Sequence, residues 1–438
     1  MTVTAGATHN GGARAGRGMT PQLRHRLLVW AGTALVMIAL PLAFKQGFAL
    51  SLLSQIGIAV IFALSYNMLL GQTGMLSFGH AVYFGLGAFV SAHALNAVGA
   101  GRLDLPVTLL PLVGGLAGLA SGVVFGYVTT RRSGTAFAMI SLGIAEMVAA
   151  SALMFPGFFG GEGGIATNRV AGPAWHGISY GPQIQVYYLI AVWCFVCMIA
   201  MFAFTQTPLG RIANAVRDNA ERVKFVGYSP NRVRYLVFCL AAFFAGIAGA
   251  LSTINYEIVT AENLGVAASG NVLIMAFVGG VGHFYGPIIG AALVSFLQSA
   301  LSTYTKAWLL YFGLFFMVMI LFAPGGIASL IAVHGPPLRH RLLGRLIPSY
   351  VLAGLALVVL LAGVIGLVEM TYHLESAEEL GASFTLFGLP LEAGTGRSWV
   401  LTALLFAVGL ALFLAALRPV RRAWAGVNVA LQDVEGRT

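Results

Sequence analysis

Apolar runs of about 18–20 residues recur along almost the whole chain, and a helix of that length crosses a hydrocarbon core of about 30 Å. Inside a bilayer the backbone N–H and C=O groups must be satisfied by the protein itself, and helices achieve this within one segment. The composition agrees, because 58% of the residues are hydrophobic, 9% are charged and the mean hydropathy is +0.88. The chain is therefore predicted to be all-α, a polytopic transmembrane helical bundle.

The distribution of basic residues predicts the topology. If Arg24 and Arg26 hold the N-terminus in the cytoplasm, 19 of the 24 Lys and Arg residues lie on the cytoplasmic side. This is the bias expected of a bacterial inner-membrane protein, so both termini are predicted to be cytoplasmic. The basic residues behind the net charge of +10 lie between the apolar runs. The charge therefore does not indicate nucleic-acid binding. The predicted spans are 27–44, 48–70, 80–98, 106–128, 135–155, 186–204, 235–254, 267–281, 283–301, 307–323, 349–369 and 399–417.

The ends of the chain differ from its middle. Residues 1–22 are rich in Gly, Ala and Thr without an apolar face, which predicts a disordered cytoplasmic N-terminus. A stop at "LFAPGGIASL" (321–330) precedes a basic stretch. We therefore predict a core of about ten spans at 23–335 and a C-terminal extension with two further spans at 336–438.

Charge is concentrated in "TPLGRIANAVRDNAERVKFVGYSPNRVRYL" (207–236). Apolar residues recur there at helical spacing, which predicts a short helix off the membrane that ends at Gly227. A basic loop bound to anionic lipid is one interpretation. Docking of a protein is the other, and it explains the acidic residues Asp218 and Glu221 better.

The same segment carries a resemblance to a known family. "GRIANAVRDNAERVKFVGYSPNRVRYLVFCLAAFFAGIAGAL" (210–251) is similar to the corresponding stretch of branched-chain amino acid ABC-importer permeases of the LivM type. Glu221 to Gly227 has the spacing of the coupling-helix signature Glu-Ala-Ala, three residues, Gly, although Arg222 and Val223 replace the two alanines. Further stretches resemble the family in the same order: "LSYNMLLGQTGMLSFGHAVYFGLGAF" (64–89), "AMISLGIAEM" (138–147), "GGEGGI" (160–165) and "FVGGVGHFYGPIIGAAL" (277–293).

The resemblance covers residues 50–330 and implies a permease subunit of an ABC importer for branched-chain amino acids or related amides. It implies ABC ATPase subunits, a second permease in a heterodimer, and a periplasmic or extracellular solute-binding protein as partners. The chain has three lysines and no Gly-Lys pair, hence no G-x-x-x-x-G-K-[ST] phosphate loop. We therefore predict that a partner subunit hydrolyses ATP. This chain is predicted to have no cofactor, no metal and no enzymatic activity. The predicted coupling residues are Gly210, Arg211, Arg217, Asp218, Glu221 and Gly227.

Two glycine-rich stretches, "GQTGMLSFGHAVYFGLGA" and "GGVGHFYGPIIGAA", each interrupt an apolar hairpin. Paired helix breaks at membrane depth are typical of a transport path, whereas close packing of small residues is the alternative. Glu162 in "GGEGGI" is predicted to contact the binding protein, with a merely solvated loop as the alternative. Glu146 is an acid well inside a predicted span, either in the path or bonded within the bundle. The predicted path residues are Gln72, Ser77, His80, Glu146 and His283.

Other classes of protein remain open. A self-sufficient secondary transporter of a small polar solute is the main alternative, and it is expected to carry more ionisable groups within its spans. A scaffold protein would not need two helix breaks. The solute itself stays open between leucine-type amino acids, amides and urea.

Overall fold

The computed structural model describes residues 21–44, 46–170, 178–375, 383–386 and 388–435. The predicted disordered N-terminus lies outside this part of the chain, except that the first helix begins at Pro21. The α-helices are α1 (Pro21–Ala43), α2 (Gly47–Thr73), α3 (Ala81–Gly99), α4 (Leu110–Thr129), α5 (Thr135–Met154), α6 (Pro156–Phe159), α7 (Gln183–Gln206), α8 (Pro208–Asp218), α9 (Ala220–Phe225), α10 (Pro230–Tyr256), α11 (Val266–Gly279), α12 (Gly286–Tyr304), α13 (Trp308–Phe322), α14 (Gly326–Arg339), α15 (Ile347–Glu375) and α16 (Gly396–Glu435).

The strands are short and lie in the connections. Strand β1 (Ile165–Ala166) pairs antiparallel with β2 (Ile258–Val259), with Ile165 opposite Val259. Strand β3 (Ser383–Leu386) forms a hairpin with β4 (Leu389–Glu392) between α15 and α16. The prediction of an all-α polytopic bundle is confirmed, since helices make up nearly all of the regular structure described.

Each predicted span coincides with a helix, but three helices in the second half, α11, α13 and α14, differ from a simple crossing. Among the described residues, ten helices are long and apolar enough to cross a membrane, or eleven if the bent pair α13–α14 is one span. Helix α11 has 14 residues, too few to cross about 30 Å of hydrocarbon alone. Helices α13 and α14 meet at a 45° bend, where the chain reads Ala-Pro-Gly-Gly.

Helix α10 lies at the centre of the bundle, with 89% of its apolar stretch buried. It packs against α2, α3 and α4, and glycines allow the backbones to approach closely. A Cβ on Gly246 of α10 would overlap the carbonyl oxygen of Gly114 on α4, and one on Gly87 of α3 would overlap Gly246. The hydrophobic effect does not drive helices together within lipid. Close packing of small residues therefore supplies much of the free energy of helix association.

Helices α15 and α16 form an antiparallel hairpin that joins the rest of the bundle at two places. Near one end, Glu369 Oε1 accepts hydrogen bonds from Thr305 Oγ1 at 2.9 Å and Tyr311 OH at 3.0 Å. Near the other end, the Tyr350 hydroxyl lies 2.7 Å from His334 Nε2 and accepts from Trp424 Nε1 at 2.8 Å. Glu369 lies inside α15 and is a second acid within a long helix. The predicted span 349–369 placed it at the end of a helix.

The proposed boundary near residue 335 does not coincide with a break in the chain. Helix α14 runs from Gly326 to Arg339 across that position, and a short 3-10 turn at Leu343–Arg345 leads into α15. The division into a core at 23–335 and an extension at 336–438 stays a prediction. If it is correct, α14 belongs to both parts.

Candidate functional site

The charged segment forms two short helices, where the sequence predicted one. Thr207 Oγ1 caps α8 by accepting from Gly210 N at 3.2 Å, and a Cβ on Gly210 would overlap the carbonyl oxygen of Phe204. At Asn219 the backbone is extended (φ −158°, ψ 98°) and its Oδ1 accepts from Arg222 N at 2.9 Å. Asparagine side chains favour such helix caps over helix interiors. We call residues 208–226 the α8–α9 segment.

The inner side of the α8–α9 segment packs on the bundle. Ala213, Val216 and Val223 are buried. Arg217 Nη1 donates to the carbonyl oxygen of Gly71 in the last turn of α2, and its Nε donates to Asp218 Oδ1 at 3.1 Å. The segment is therefore bonded to the end of α2 at the point where that helix stops.

The outer side of the segment is exposed and partly apolar. Phe225 is 90% exposed and Val226 is 70% exposed. Glu221 pairs with Lys224 at 2.6 Å between Oε1 and Nζ, both of them exposed, while Arg211 is exposed on α8. A cavity of about 280 Å³ lies between the two helices and is lined in part by Ile212, Val223 and Tyr228.

Gly227 terminates the segment as the sequence predicted. Its φ of +90° is a conformation that side chains with a Cβ adopt at a cost. Its N–H donates to Lys224 O at 2.9 Å. The basic stretch that follows is the first turn of α10, which begins at Pro230.

The first glycine-rich stretch is a break between α2 and α3 that turns back into the bundle. Gly74 ends α2 with φ +70°, and residues 74–80 then run back along the helix, so that Tyr66 OH donates to Ser77 O at 3.1 Å. Hydroxyls from two distant helices accept from backbone N–H groups of this break. These acceptors are Ser141 Oγ of α5, 3.0 Å from Phe78 N, and Ser269 Oγ of α11, 3.0 Å from Ala81 N.

Two of the predicted path residues lie in the packed interior beside this break. Ser77 is 0% and His80 1% exposed. The His80 ring contacts Phe62, Tyr66 and Tyr83. Its Nε2 lies 3.0 Å from Ser65 Oγ, and its Nδ1 has no hydrogen-bond partner among the described residues.

The second glycine-rich stretch is a break between α11 and α12 that lies against the first. Gly280 has φ +109°. A Cβ on Gly71 would come within 2.9 Å of the carbonyl oxygen of Val281, so the end of α2 touches this break directly. In the described part of the chain, Gln72 Oε1 and His283 Nδ1 are buried without hydrogen-bond partners.

The two predicted acidic site residues lie away from the breaks. Glu146 is exposed on the side of α5 opposite Ser141 and Ala145, which are buried against the bundle. Glu162 is exposed in a 3-10 turn at Gly161–Gly163. The structure thus groups Gln72, Ser77, His80 and His283 with Arg217 of the α8–α9 segment, and separates Glu146 and Glu162 from them.

Sequence reasoning missed the residues that hold the breaks in position. Ser141 and Ser269 carry no local pattern that distinguishes them from other hydroxyls in apolar helices, because each acts on a backbone group far away in the chain. Gly71 lies inside the first glycine-rich stretch, and that stretch was the available signal for it.

A multi-pass bundle with two adjacent helix breaks and a helix pair that projects from one face defines a membrane transport protein of the permease class. The chain belongs to the family described as the permease component of the branched-chain amino acid transport system, whose family model matches residues 48–324. It is a multi-pass bacterial membrane protein.

The names of three similar proteins are consistent with this family. The chain is 26% identical over 313 residues to the high-affinity branched-chain amino acid transport system permease protein LivM of Salmonella typhimurium, covering 67% of this chain and 72% of the relative. It is 27% identical to LivM of Escherichia coli K12, covering 62% and 67%. It is 23% identical to LivH of the same organism, covering 56% and 82%. No solved structure matches the chain.

Proposed function

We propose that the chain is a membrane subunit of an ABC importer that passes branched-chain amino acids, or related amino acids and amides, across the bacterial inner membrane. The family and the names of the similar permeases support this substrate class. ATP hydrolysis takes place on a separate ATPase subunit. A second permease completes a heterodimer, and a soluble binding protein delivers the solute.

The observation that carries the proposal is the exposed outer side of the α8–α9 segment. Phe225 and Val226 are 90% and 70% exposed on a segment that also bears charged side chains. Exposed apolar groups surrounded by polar ones mark protein interaction sites. An ATPase that docks on this surface explains it better than lipid anchoring does, because a basic anchor on anionic lipid does not require the acidic residues Asp218 and Glu221.

The contacts of Arg217 supply a route from the docking surface to the transport path. Arg217 bonds the segment to Gly71, and Gly71 touches Val281 in the second break. A displacement of the segment by a hydrolysing partner would therefore act on both breaks at once. Rigid helices joined by short breaks transmit such displacements as small hinge movements.

Residues at the two breaks are the proposed path. Gln72 and His283 offer a buried oxygen and a buried nitrogen without hydrogen-bond partners among the described residues, and a polar solute or water can satisfy these atoms. Ser77 and His80 are enclosed in this conformation and would join the path when the break opens. Glu146, on the exposed side of α5, would face the second permease, and Glu162 the binding protein.

The orientation follows from the same proposal. If the α8–α9 segment receives a cytoplasmic ATPase and α11 with its break makes one crossing, both termini are cytoplasmic, as the charge bias predicts. Glu162 and the connection between α15 and α16 are then external.

Removal of the exposed aromatic ring tests the docking surface. Phe225→Ala is expected to lower recovery of the ATPase subunit with the affinity-tagged chain by roughly tenfold or more, as expected for an aromatic anchor of an interface. Leu338→Ala is the matched control, since Leu338 is 64% exposed and lies outside the segment. Mass spectrometry of proteins retained from native membranes in mild detergent is the measurement.

Two outcomes would contradict the proposal. Equal loss of the ATPase in both variants would mean that Phe225 is not the anchor. Purification of the chain without any ATPase, together with solute flux into liposomes that lack ATP, would favour the self-sufficient secondary transporter.

A further inference from the structure

A second cavity, of about 650 Å³, lies on the other side of the α8–α9 segment. The connection between α4 and α5, helix α9 and the first turn of α10 form its walls. Its lining carries four cationic side chains and one carboxylate, Glu221; the cations are Arg131, Arg132, Lys224 and Arg234. Glu221 also belongs to the proposed docking surface, whereas the route from Arg217 to Gly71 does not pass through this cavity.

The positive charge of the cavity is not balanced within the described part of the chain. Glu221 is already paired with Lys224 at 2.6 Å. The ion pairs found among the described residues include none of the three arginines of the cavity. Arg234 Nε is also buried without a hydrogen-bond partner in that part of the chain. Three arginines therefore line one space without a counter-ion among the described residues, and the guanidinium of one of them, Arg131, also lies 4.2 Å from the centroid of the Tyr127 ring.

The remaining lining supplies neutral donors. Ser133, Ser229 and Asn231 line the same cavity. The side chain of Ser229 does not cap the 27-residue helix α10. Pro230 has no N–H and Val233 N donates to Ser229 O, so Asn231 and Arg232 carry the first-turn N–H groups that the Ser229 side chain leaves uncapped. The N-terminus of a helix favours negative charge, and this adds to the field of the arginines.

We propose that this cavity binds a phosphate group. Guanidinium groups match the paired oxygens of phosphate in their fork geometry, and hydroxyl and amide donors would bond the remaining oxygens. A volume of about 650 Å³ is that of a small-molecule site and exceeds what a chloride ion needs. Free phosphorylated solutes and phospholipid headgroups share this chemistry.

A bound phosphate would tie elements that otherwise meet loosely. Arg131 and Arg132 follow α4, Lys224 belongs to α9, and Arg234 lies in the first turns of α10. The site would therefore hold α9 against the helices of the bundle. Its existence does not depend on an ATPase partner, so failure of the coupling proposal would leave it intact.

Pyrophosphate is the probe for a free phosphate source. We expect the purified full chain in detergent to show a saturable rise in Tm with pyrophosphate at constant ionic strength, and none with chloride. Arg131→Gln combined with Arg132→Gln is expected to weaken this binding by about tenfold or more, because each charged hydrogen bond contributes about that factor. Arg421→Gln combined with Arg422→Gln, a second pair of adjacent exposed arginines, is the matched control and should bind as the unchanged chain does.

A phospholipid source is distinguished in a second arm. Native mass spectrometry of the chain from nanodiscs of phosphatidylglycerol, compared with phosphatidylcholine, would show retained anionic lipid that the Arg131/Arg132 variant loses. Arg234→Gln should weaken whichever source binds and provides a second variant if the first fails to fold. Absence of saturable binding in both arms would overturn the proposal, as would equal losses in the pocket and control variants.

Discussion

Arg217 joins the α8–α9 segment to the end of α2, on the side of the segment that faces the bundle. A change at Arg217 can therefore test the transmission of movement separately from the docking of the ATPase. The Arg217 guanidinium faces Gly71, whereas the exposed Phe225 faces outward. Arg217→Gln removes the charge-assisted bond, and we expect ATP-driven uptake in proteoliposomes to fall by about tenfold, a typical coupling free energy. Recovery of the ATPase should be unchanged.

Arg339→Gln is the control for this prediction, because Arg339 is exposed at the end of α14, lies outside the α8–α9 segment and makes no described bond to α2. Normal uptake in the Arg217 variant would mean that the bond to Gly71 does not transmit movement. Loss of the ATPase in that variant would mean that Arg217 belongs to the docking surface instead.

Single residues could be assigned from the sequence where local backbone chemistry decides their role. Gly227 ends a helix because its φ of +90° suits glycine, and the pattern predicted this. His80 was predicted to line the path, but its burial among Phe62, Tyr66 and Tyr83 depends on contacts that no local pattern contains. Its role in transport stays a prediction.

The break between α2 and α3 is held by side chains from other helices. Ser269→Ala would leave Ala81 N without its acceptor, and Ser141→Ala would do the same to Phe78 N. Each change is expected to lower the free energy of unfolding by about 1–3 kcal/mol, the cost of an unsatisfied buried donor. Thermal unfolding in detergent is the measurement.

Ser151→Ala is the matched control for the break, since the bond described for Ser151 Oγ goes to Met147 O within its own helix. A Tm equal to that of the unchanged chain is expected for it. If all three variants unfold alike, the hydroxyls do not hold the break.

The hairpin of α15 and α16 is fastened at both ends, although 17% of the apolar stretch of each helix is buried. Glu369→Ala removes the acceptor for Thr305 and Tyr311, and Tyr350→Phe removes the hydroxyl shared by His334 and Trp424. The double variant should be cleaved by trypsin several-fold faster at 339–345, because local opening exposes this connection.

ATPase recovery with the same double variant should stay unchanged, because the α8–α9 segment and both breaks lie within the family match at 48–324. Thr371→Ala is the control, since Thr371 Oγ1 bonds Leu367 O in its own helix. Loss of the ATPase in the double variant would instead make the hairpin part of the assembly that couples to the partner.

The sequence by itself determined that the chain is a polytopic membrane protein, where most of its spans lie and where the charged segment lies. These features follow from local physics, because a bilayer demands about 20 apolar residues for each crossing and tolerates charge mainly between crossings. The glycine-rich stretches likewise marked both breaks, since glycine permits the left-handed backbone at Gly74 and Gly280.

The tertiary structure decided how those parts meet. It divided the charged segment at Asn219, brought Gly71 against Val281, enclosed His80 and left Glu146 on the exposed side of α5. The bond from Ala81 to Ser269 joins residues 188 positions apart. Such contacts form where the surfaces of apolar helices are complementary in shape and where buried backbone groups need hydrogen-bond partners. The two partners of each contact lie far apart in the chain, so no single stretch of sequence contains both.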